Sequence, residues 1–481
     1  MRFSDRHIHF VGIGGAGLSA IARVLLEQGA VVSGSDLALS PVAEALARDG
    51  VRVFVGHRAE NVQGAEWVVV SSAVPPFNAE VEAARSAGIP VLKRAEFLAQ
   101  MTDGYQVVAV AGTHGKTTTT AMIASISMAA GLDPTFIIGG VVTGLVTDLG
   151  TNAHAGDGNW FVVEADEYDR MFLGLNPTIA VVTNVEHDHP DCYPTFGDFR
   201  AAFETFVEAV PPEGLVVACW DDPAAREIGL ERRAAGGRVT FFGLSDGAEW
   251  RAEEVRPNFV GGMDFLVTRR DAGEQTPGLV RLRLPGRHNA SNAVAALVVA
   301  DALGVPMRVA KEALIGFRGV ARRFEIKGEV QGVLVVDDYA HHPTEIRATL
   351  EAARSRYPGR PLWAVWQPHT YSRTWALMSE FVQAFQAADH VIVLPIYAAR
   401  ETNTLGIRSV DVVSRMTHPD VRCALSKEEA MIWLGTEVKP GDVVLTLGAG
   451  DGYLVGEWLL DVLAVEWPED DGHQGEEELW G

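Results

Sequence analysis

Short apolar runs alternate with stretches of helical period along most of this chain, and their spacing predicts parallel sheets covered by helices. In the first hundred residues Ile8-His-Phe-Val11, Ala30-Val-Val-Ser33, Val51-Arg-Val-Phe-Val55 and Trp67-Val-Val-Val-Ser-Ser72 read as strands. The segments between them are long enough for helical crossovers and too long for hairpins. A second series starts near Tyr105 with Val108-Ala-Val-Ala111 and continues through Phe161-Val-Val-Glu164, Thr178-Ile-Ala-Val-Val-Thr183 and Gly214-Leu-Val-Val-Ala218. From about 236 to 285 the pattern changes to Phe, Val and Leu alternating with arginine, as in Asp264-Phe-Leu-Val-Thr-Arg269 and Leu279-Val-Arg-Leu-Arg-Leu284. That period of two predicts a small antiparallel insertion with one wet face.

A helix pair from His288 to Phe317 follows, and after Gly319 the α/β rhythm resumes with Gly332-Val-Leu-Val-Val-Asp337, Pro361-Leu-Trp-Ala-Val-Trp366, His390-Val-Ile-Val-Leu394 and Asp442-Val-Val-Leu-Thr-Leu447. The predicted class is α/β, with three domains that are each a mostly parallel sheet with helices. Their predicted extents are 1–103, 104–319 and 320–464, and 465–481 is an acidic, aperiodic tail read as disordered. No internal repeat of fixed period appears.

Composition narrows the partners. A chain of 481 residues with 47% hydrophobic residues can bury several cores, and a net charge of −23 argues against a nucleic-acid surface. Cys192, Cys219 and Cys423 form neither a disulfide framework nor a metal-ligand spacing, which suits a reducing compartment. No signal peptide or membrane-length apolar run is recognisable. The expectation is a cytoplasmic protein without membrane partners.

The chemistry concentrates at strand ends. Gly12-Ile-Gly14-Gly15-Ala-Gly17 follows the first strand, and Asp36 closes the second. Alone, this G-x-G-x-x-G reads as dinucleotide binding and keeps an NAD-dependent oxidoreductase open. The second series carries Gly112-Thr113-His114-Gly115-Lys116-Thr117-Thr118 between a strand and a helix, and Lys116 is the only lysine between Lys93 and Lys311. Glycine turns of this kind let backbone N–H groups and a helix N-terminus approach phosphate, with Lys116 reaching the β/γ-phosphates and the Thr117 hydroxyl facing Mg²⁺. The match to the standard P-loop lacks its first glycine, because Val110 stands there.

Glu164, at the end of its strand, and His189, in Thr183-Asn-Val-Glu-His-Asp-His189, emerge at neighbouring strand ends and complete a Mg·ATP site. A solvated acidic loop is the alternative for the Glu164 segment. Asn289 and Asn292 share a helix face and could meet a purine or ribose. Arg323 and Asp338 in the third domain could clamp a nucleotide, or form a surface ion pair of little worth.

Taken together, Gly12 to Gly17, Ser71-Ser-Ala-Val74 with Asn78-Ala-Glu80, Gly112 to Thr117, Glu164-Ala-Asp-Glu167, Thr183 to His189, His288-Asn289, Arg322-Arg-Phe324 and Asp337-Asp-Tyr-Ala-His-His-Pro-Thr-Glu345 resemble the Mur ligase family. The resemblance spans about residues 6–460, is strongest to the members that add L-alanine, and shares its P-loop half with folylpolyglutamate synthase. It implies an ATP- and Mg²⁺-dependent, ADP-forming ligase that joins L-alanine to UDP-N-acetylmuramate through an acyl phosphate, acting as a monomer or homodimer.

It also redirects Gly12, Gly14, Gly15, Gly17, Asp36 and Ser71 from NAD to the UDP-sugar. Lys116, Thr117, Glu164 and His189 become the phosphate and metal residues; Asn289, Asn292, Arg323 and Asp338 become nucleotide contacts, and His341 and Arg373 lie near the amino acid. Two departures stand out. Thr370 replaces an arginine expected after Gln367-Pro-His369, and no lysine between 117 and 310 can supply the carbamylated group of some sister enzymes. A ligase that attaches a whole tripeptide to the same sugar, and an inert nucleotide-binding regulator, are the competing readings.

Overall fold

The computed structural model describes residues 3–75, 77–143, 151–270 and 277–465, so the predicted acidic tail lies outside the described residues apart from Val465. The chain divides into two compact units, Met1–Ala321 and Arg322–Gly481.

The first unit carries two sheets. One has five parallel strands in the order Arg52–Val55, Val31–Asp36, His7–Val11, Trp67–Val70, Val91–Lys93. The order reverses direction beside His7–Val11, which is where an open α/β sheet offers a crevice at its carboxyl edge. The other sheet has ten strands, with Gln106–Ala111 between Ile179–Val182 and Trp160–Glu164, all parallel. These central strands are Val- and Ala-rich because helices cover both faces, and residues 108–111 have no exposed surface.

The predicted insertion is there but is no separate sheet. Trp250–Pro257 pairs in parallel with Val239–Gly243, and the antiparallel strands Met263–Arg269 and Gly278–Arg281 then extend the same edge.

Two helices hold the central strand in place. Lys116–Ala129 is almost wholly buried despite four consecutive β-branched threonines, which disfavour helix. Two of their hydroxyls are engaged, Thr120 donating to Lys116 O at 2.8 Å and Thr117 to Glu164. Arg287–Ala302 packs on it and is buried all round through an alanine-rich sequence.

The second unit has six strands in the order Glu325–Val330, Val333–Asp338, Val443–Leu447, Leu362–Trp366, His390–Val393, Val421–Cys423, with only the first pair antiparallel. No described helix is long and apolar enough to cross a membrane.

Candidate active site

The turn after Gln106–Ala111 is built by glycine. Gly112 sits at φ +141 and Gly115 at +81, conformations that side-chain-bearing residues resist. A Cβ on Gly112 would overlap Thr183 Oγ1, and one on Gly115 would stand 2.7 Å from Asn292 Oδ1. The neighbouring strand end locks the turn: Thr183 Oγ1 and Asn184 Nδ2 donate to His114 O at 2.6 and 3.0 Å, and Thr113 Oγ1 donates to Glu186 O at 2.7 Å. His114 N–H, expected to face phosphate, donates to Asn184 Oδ1 at 2.8 Å, and its ring meets Glu186 at 3.0 Å. Thr118 is buried on the first turn of the helix.

Lys116 Nζ folds back onto Gly112 O, Thr113 O (3.1 Å) and the buried Glu167 carboxylate (2.8 and 3.0 Å). Burial opposes its charge, but Glu167, Asp166 and Glu164 together raise its pKa above the ordinary lysine value. Thr117 Oγ1 donates to Glu164 Oε1 at 3.0 Å, and Gly139 N–H donates to Glu164 Oε2 at 2.6 Å. His189, held at φ +53, places Nε2 3.4 Å from Glu167. Glu164, Asp166 and Glu167 therefore act together on one lysine, an excess of carboxylate that favours a hard divalent cation. The Thr117 hydroxyl and Glu164 carboxylate fit Mg²⁺ in donor chemistry, and the His189 imidazole is a softer third donor. Asn289 and Asn292 are buried; Asn289 Nδ2 donates to Pro285 O at 2.7 Å, and Asn292 packs against Gly115.

At the edge of the five-stranded sheet the predicted sugar-nucleotide residues converge. Gly12, at φ +89, and Ile13 donate to Ser35 O at 2.8 and 3.0 Å; a Cβ on Gly12 would lie 3.0 Å from Ser71 Cβ. Asp36 Oδ2 accepts from Gly14 N–H at 2.8 Å, and its other oxygen accepts from Leu37 N–H at 2.8 Å. Gly15 N–H donates to Gly12 O at 3.3 Å, closing the turn.

Sequence reasoning missed Arg94, whose guanidinium lies over Gly17 and donates from Nη2 to Asp166 Oδ2 at 2.8 Å. Burial opposes ionisation of Asp166, but Arg94, Lys116 and His189 hold its pKa below the ordinary value. Nor does the motif Glu164-Ala-Asp-Glu167 by itself mark Glu167 as the partner of Lys116.

Within the second unit, Asp338 accepts from Phe324 and Ala340 N–H groups, both at 2.8 Å. Burial pushes its carboxyl up to about 6, partly offset by Arg323. Arg323 lies 3.4 Å from Glu345. His341 Nδ1 is 3.0 Å from Tyr339 O, which can only accept, so that nitrogen carries the proton. Arg373 is buried and donates to His369 Nδ1 at 3.2 Å, which fixes His369 as the Nε2–H tautomer. The His341 and His369 rings are 5.9 Å apart, so His341, His369 and Arg373 form one cluster.

Thr370 has a structural account: at φ +64, rare for a β-branched residue, its Oγ1 accepts from Arg373 N–H at 3.4 Å and caps the helix Tyr371–Ala376. Glu401 secures that cap, accepting from Tyr371 and Ser372 N–H at 2.7 and 2.9 Å.

Comparison with known proteins agrees across the chain. Sequence models described as the Mur ligase family catalytic domain, the Mur ligase middle domain and the Mur ligase glutamate ligase domain match residues 7–106, 110–300 and 322–450. A relative named UDP-N-acetylmuramate–L-alanine ligase from Roseiflexus castenholzii is 44% identical, covering 98% of this chain and 100% of its own. One of the same name from Desulforapulum autotrophicum is 46% identical, with coverage of 95% and 99%.

Among solved structures, a UDP-N-acetylmuramate-alanine ligase from Thermotoga maritima aligns with a TM-score of 0.78 at 28% identity, covering 95% of this chain and 98% of that one. A murein peptide ligase from Psychrobacter arcticus aligns at 0.72, with the same identity and coverage.

Proposed function

Because the chain belongs to the Mur ligase family, we propose that it joins L-alanine to the lactyl carboxylate of UDP-N-acetylmuramate, converting ATP to ADP and phosphate. The observation that carries this reading is the juxtaposition of a glycine turn, Lys116, Thr117 and Glu164 at one sheet edge, in a chain similar from end to end to ligases of that name.

A carboxylate resists attack by an amine because its charge repels the nucleophile and its oxygen leaves poorly. The lactyl carboxylate takes the γ-phosphoryl group, ADP departs, and the amino group of L-alanine attacks the acyl phosphate; collapse of the tetrahedral intermediate yields amide and phosphate. Lys116 exchanges Glu167 for phosphate oxygens and offsets the charge moving onto ADP. Thr117, Glu164 and His189 would hold Mg²⁺, which would supply positive charge to the triphosphate. The glycine turn at Gly12 to Gly17 takes the diphosphate of the sugar nucleotide, with Ser71 beside it. Asn289, Asn292, Arg323 and Asp338 serve the nucleotide, and Arg373 with His341 orients the amino acid, its guanidinium matched to an α-carboxylate. The domains act over 1–103, 104–319 and 320–464, in the cytoplasm, without nucleic-acid or membrane partners, as a monomer or homodimer.

The test is ADP release with UDP-N-acetylmuramate and each nucleophile offered separately. L-alanine-dependent release supports the reading. Release only with the intact tripeptide L-alanyl-γ-D-glutamyl-meso-diaminopimelate assigns the recycling reaction instead.

A further inference from the structure

The two ligand edges of the first unit meet along a seam, and one arginine lies on both sides of it. Arg94 begins the helix Arg94–Thr102. Its guanidinium occupies the space a side chain at Gly17 would need: a Cβ there would overlap Nη1 and stand 2.8 Å from the central carbon. A side chain at position 17 would therefore displace the Arg94 guanidinium from this place.

From the other side of the same group, Nη2 donates to Asp166 Oδ2 at 2.8 Å and Nε donates to Met171 Sδ. Asp166 lies between Glu164, which holds Thr117, and Glu167, which holds Lys116. The seam around this bridge is closely packed. A Cβ on Gly174 would come within 2.8 Å of Ala95 O, and Ser72 Oγ donates to Asp169 Oδ2 at 2.7 Å, in a loop where Asp169 and Arg170 both sit at φ +54.

We infer that Arg94 is a positioning residue that couples occupancy of the Gly12–Gly17 turn to the affinity of the Lys116 turn for ATP, acting through Asp166. This rests on the ligase reading above. A guanidinium is planar and rigid, with donors fixed relative to one another. A diphosphate on the glycine turn draws and orders the edge of Arg94 that faces Gly17. The opposite edge then holds Asp166, and with it the short loop that sets Glu164 and Glu167. By linkage the effect is reciprocal: whatever factor the sugar nucleotide contributes to ATP binding, ATP contributes to sugar-nucleotide binding.

Calorimetric titration of the full chain with a non-hydrolysable ATP analogue and Mg²⁺, without and with saturating UDP-N-acetylmuramate and in the absence of L-alanine, reads the coupling directly. The unaltered protein is expected to bind the analogue about tenfold more tightly in the presence of the sugar nucleotide, within the usual range of such couplings. Arg94→Gln reduces that factor to within about twofold of one, Asp166→Asn does the same, and the double variant loses no more than either single one. Unchanged thermal melting separates this from a loss of fold.

Coupling retained in Arg94→Gln, losses that multiply in the double variant, or no coupling in an unaltered enzyme that turns over with L-alanine overturns the inference. Failure of the ligase reading registers elsewhere, as no L-alanine-dependent ADP release from the unaltered protein.

Discussion

Replacing Glu80 by glutamine removes a charge from the deepest part of the five-stranded domain while keeping its shape. Glu80 is fully buried. Ser35 Oγ and Asn61 Nδ2 each donate to it at 2.5 Å, and His57 Nδ1 lies 3.2 Å away. Burial opposes its ionisation, yet His9, Ser35 and Asn61 overcome this and hold the carboxyl at about 2, against an ordinary 4.5. At 1.36 kcal/mol per pKa unit, the ionised form contributes about 3 kcal/mol. A depressed carboxyl supplies this in full above pH 4.5 and loses it as pH falls from 4.5 toward 2.

Glu80→Gln should therefore open the domain locally by about 3 kcal/mol at pH 7, and by little near pH 2. Ser35, whose carbonyl receives Gly12 and Ile13 N–H, carries the loss to the glycine turn. Hydrogen exchange read by mass spectrometry resolves it region by region. Peptides spanning His7–Val11 and Val31–Asp36 should lose on the order of 100-fold protection at pH 7, and Gln106–Ala111 should keep its own. A change below about threefold at pH 7, or an equal loss at pH 7 and pH 2, would mean that the Glu80 charge does not stabilise the domain.

Gly112→Ala forces a side chain onto Thr183 at φ +141, so L-alanine-dependent ADP release should fall on the order of 100-fold, with the central sheet still protected from exchange. Arg373→Lys keeps the charge but not the planar fork; steady-state kinetics should show KM for L-alanine rising about 10- to 100-fold and kcat changing far less. Asp338, raised to about 6 by burial, binds its proton more tightly folded than unfolded. Its contribution is complete below its ordinary 3.8 and is lost as pH rises through 6, about 3 kcal/mol in all. Exchange protection of Val333–Asp338 should decline over that window, and Asp338→Asn should flatten the decline.

The parts legible in the sequence are those whose chemistry is local. A glycine turn between a strand and a helix announces itself within a dozen residues, and so did Gly12 to Gly17, Gly112 to Thr118 and the strand-end Glu164. Contacts between distant segments left no such mark. Arg94 and Asp166 are 72 positions apart, and neither stands in a periodic pattern that points to the other. The contacts of His9 with Ser33 and of Ser35 with Glu80 are hidden for a related reason: the partners lie 24 and 45 positions apart, and only folding brings them together.

Three-residue strands such as Val91–Lys93, Thr135–Ile137 and Val421–Cys423 are too short to display alternation. Asn78, part of a recognisable motif, caps the helix Ala79–Ser86 by accepting from Glu80 N–H at 2.9 Å. The antiparallel insertion was visible as a period of two, whereas its continuity with the central sheet depends on the Phe242–Trp250 pairing, which periodicity does not encode.

Activation of the acid as a mixed anhydride beside Lys116 leaves an atomic record. UDP-N-acetylmuramate labelled with oxygen-18 in its lactyl carboxylate should, on turnover with ATP and L-alanine, pass one labelled oxygen to the inorganic phosphate released, read by mass spectrometry. Phosphate carrying no label, with amide product formed normally, would exclude an acyl phosphate on the path.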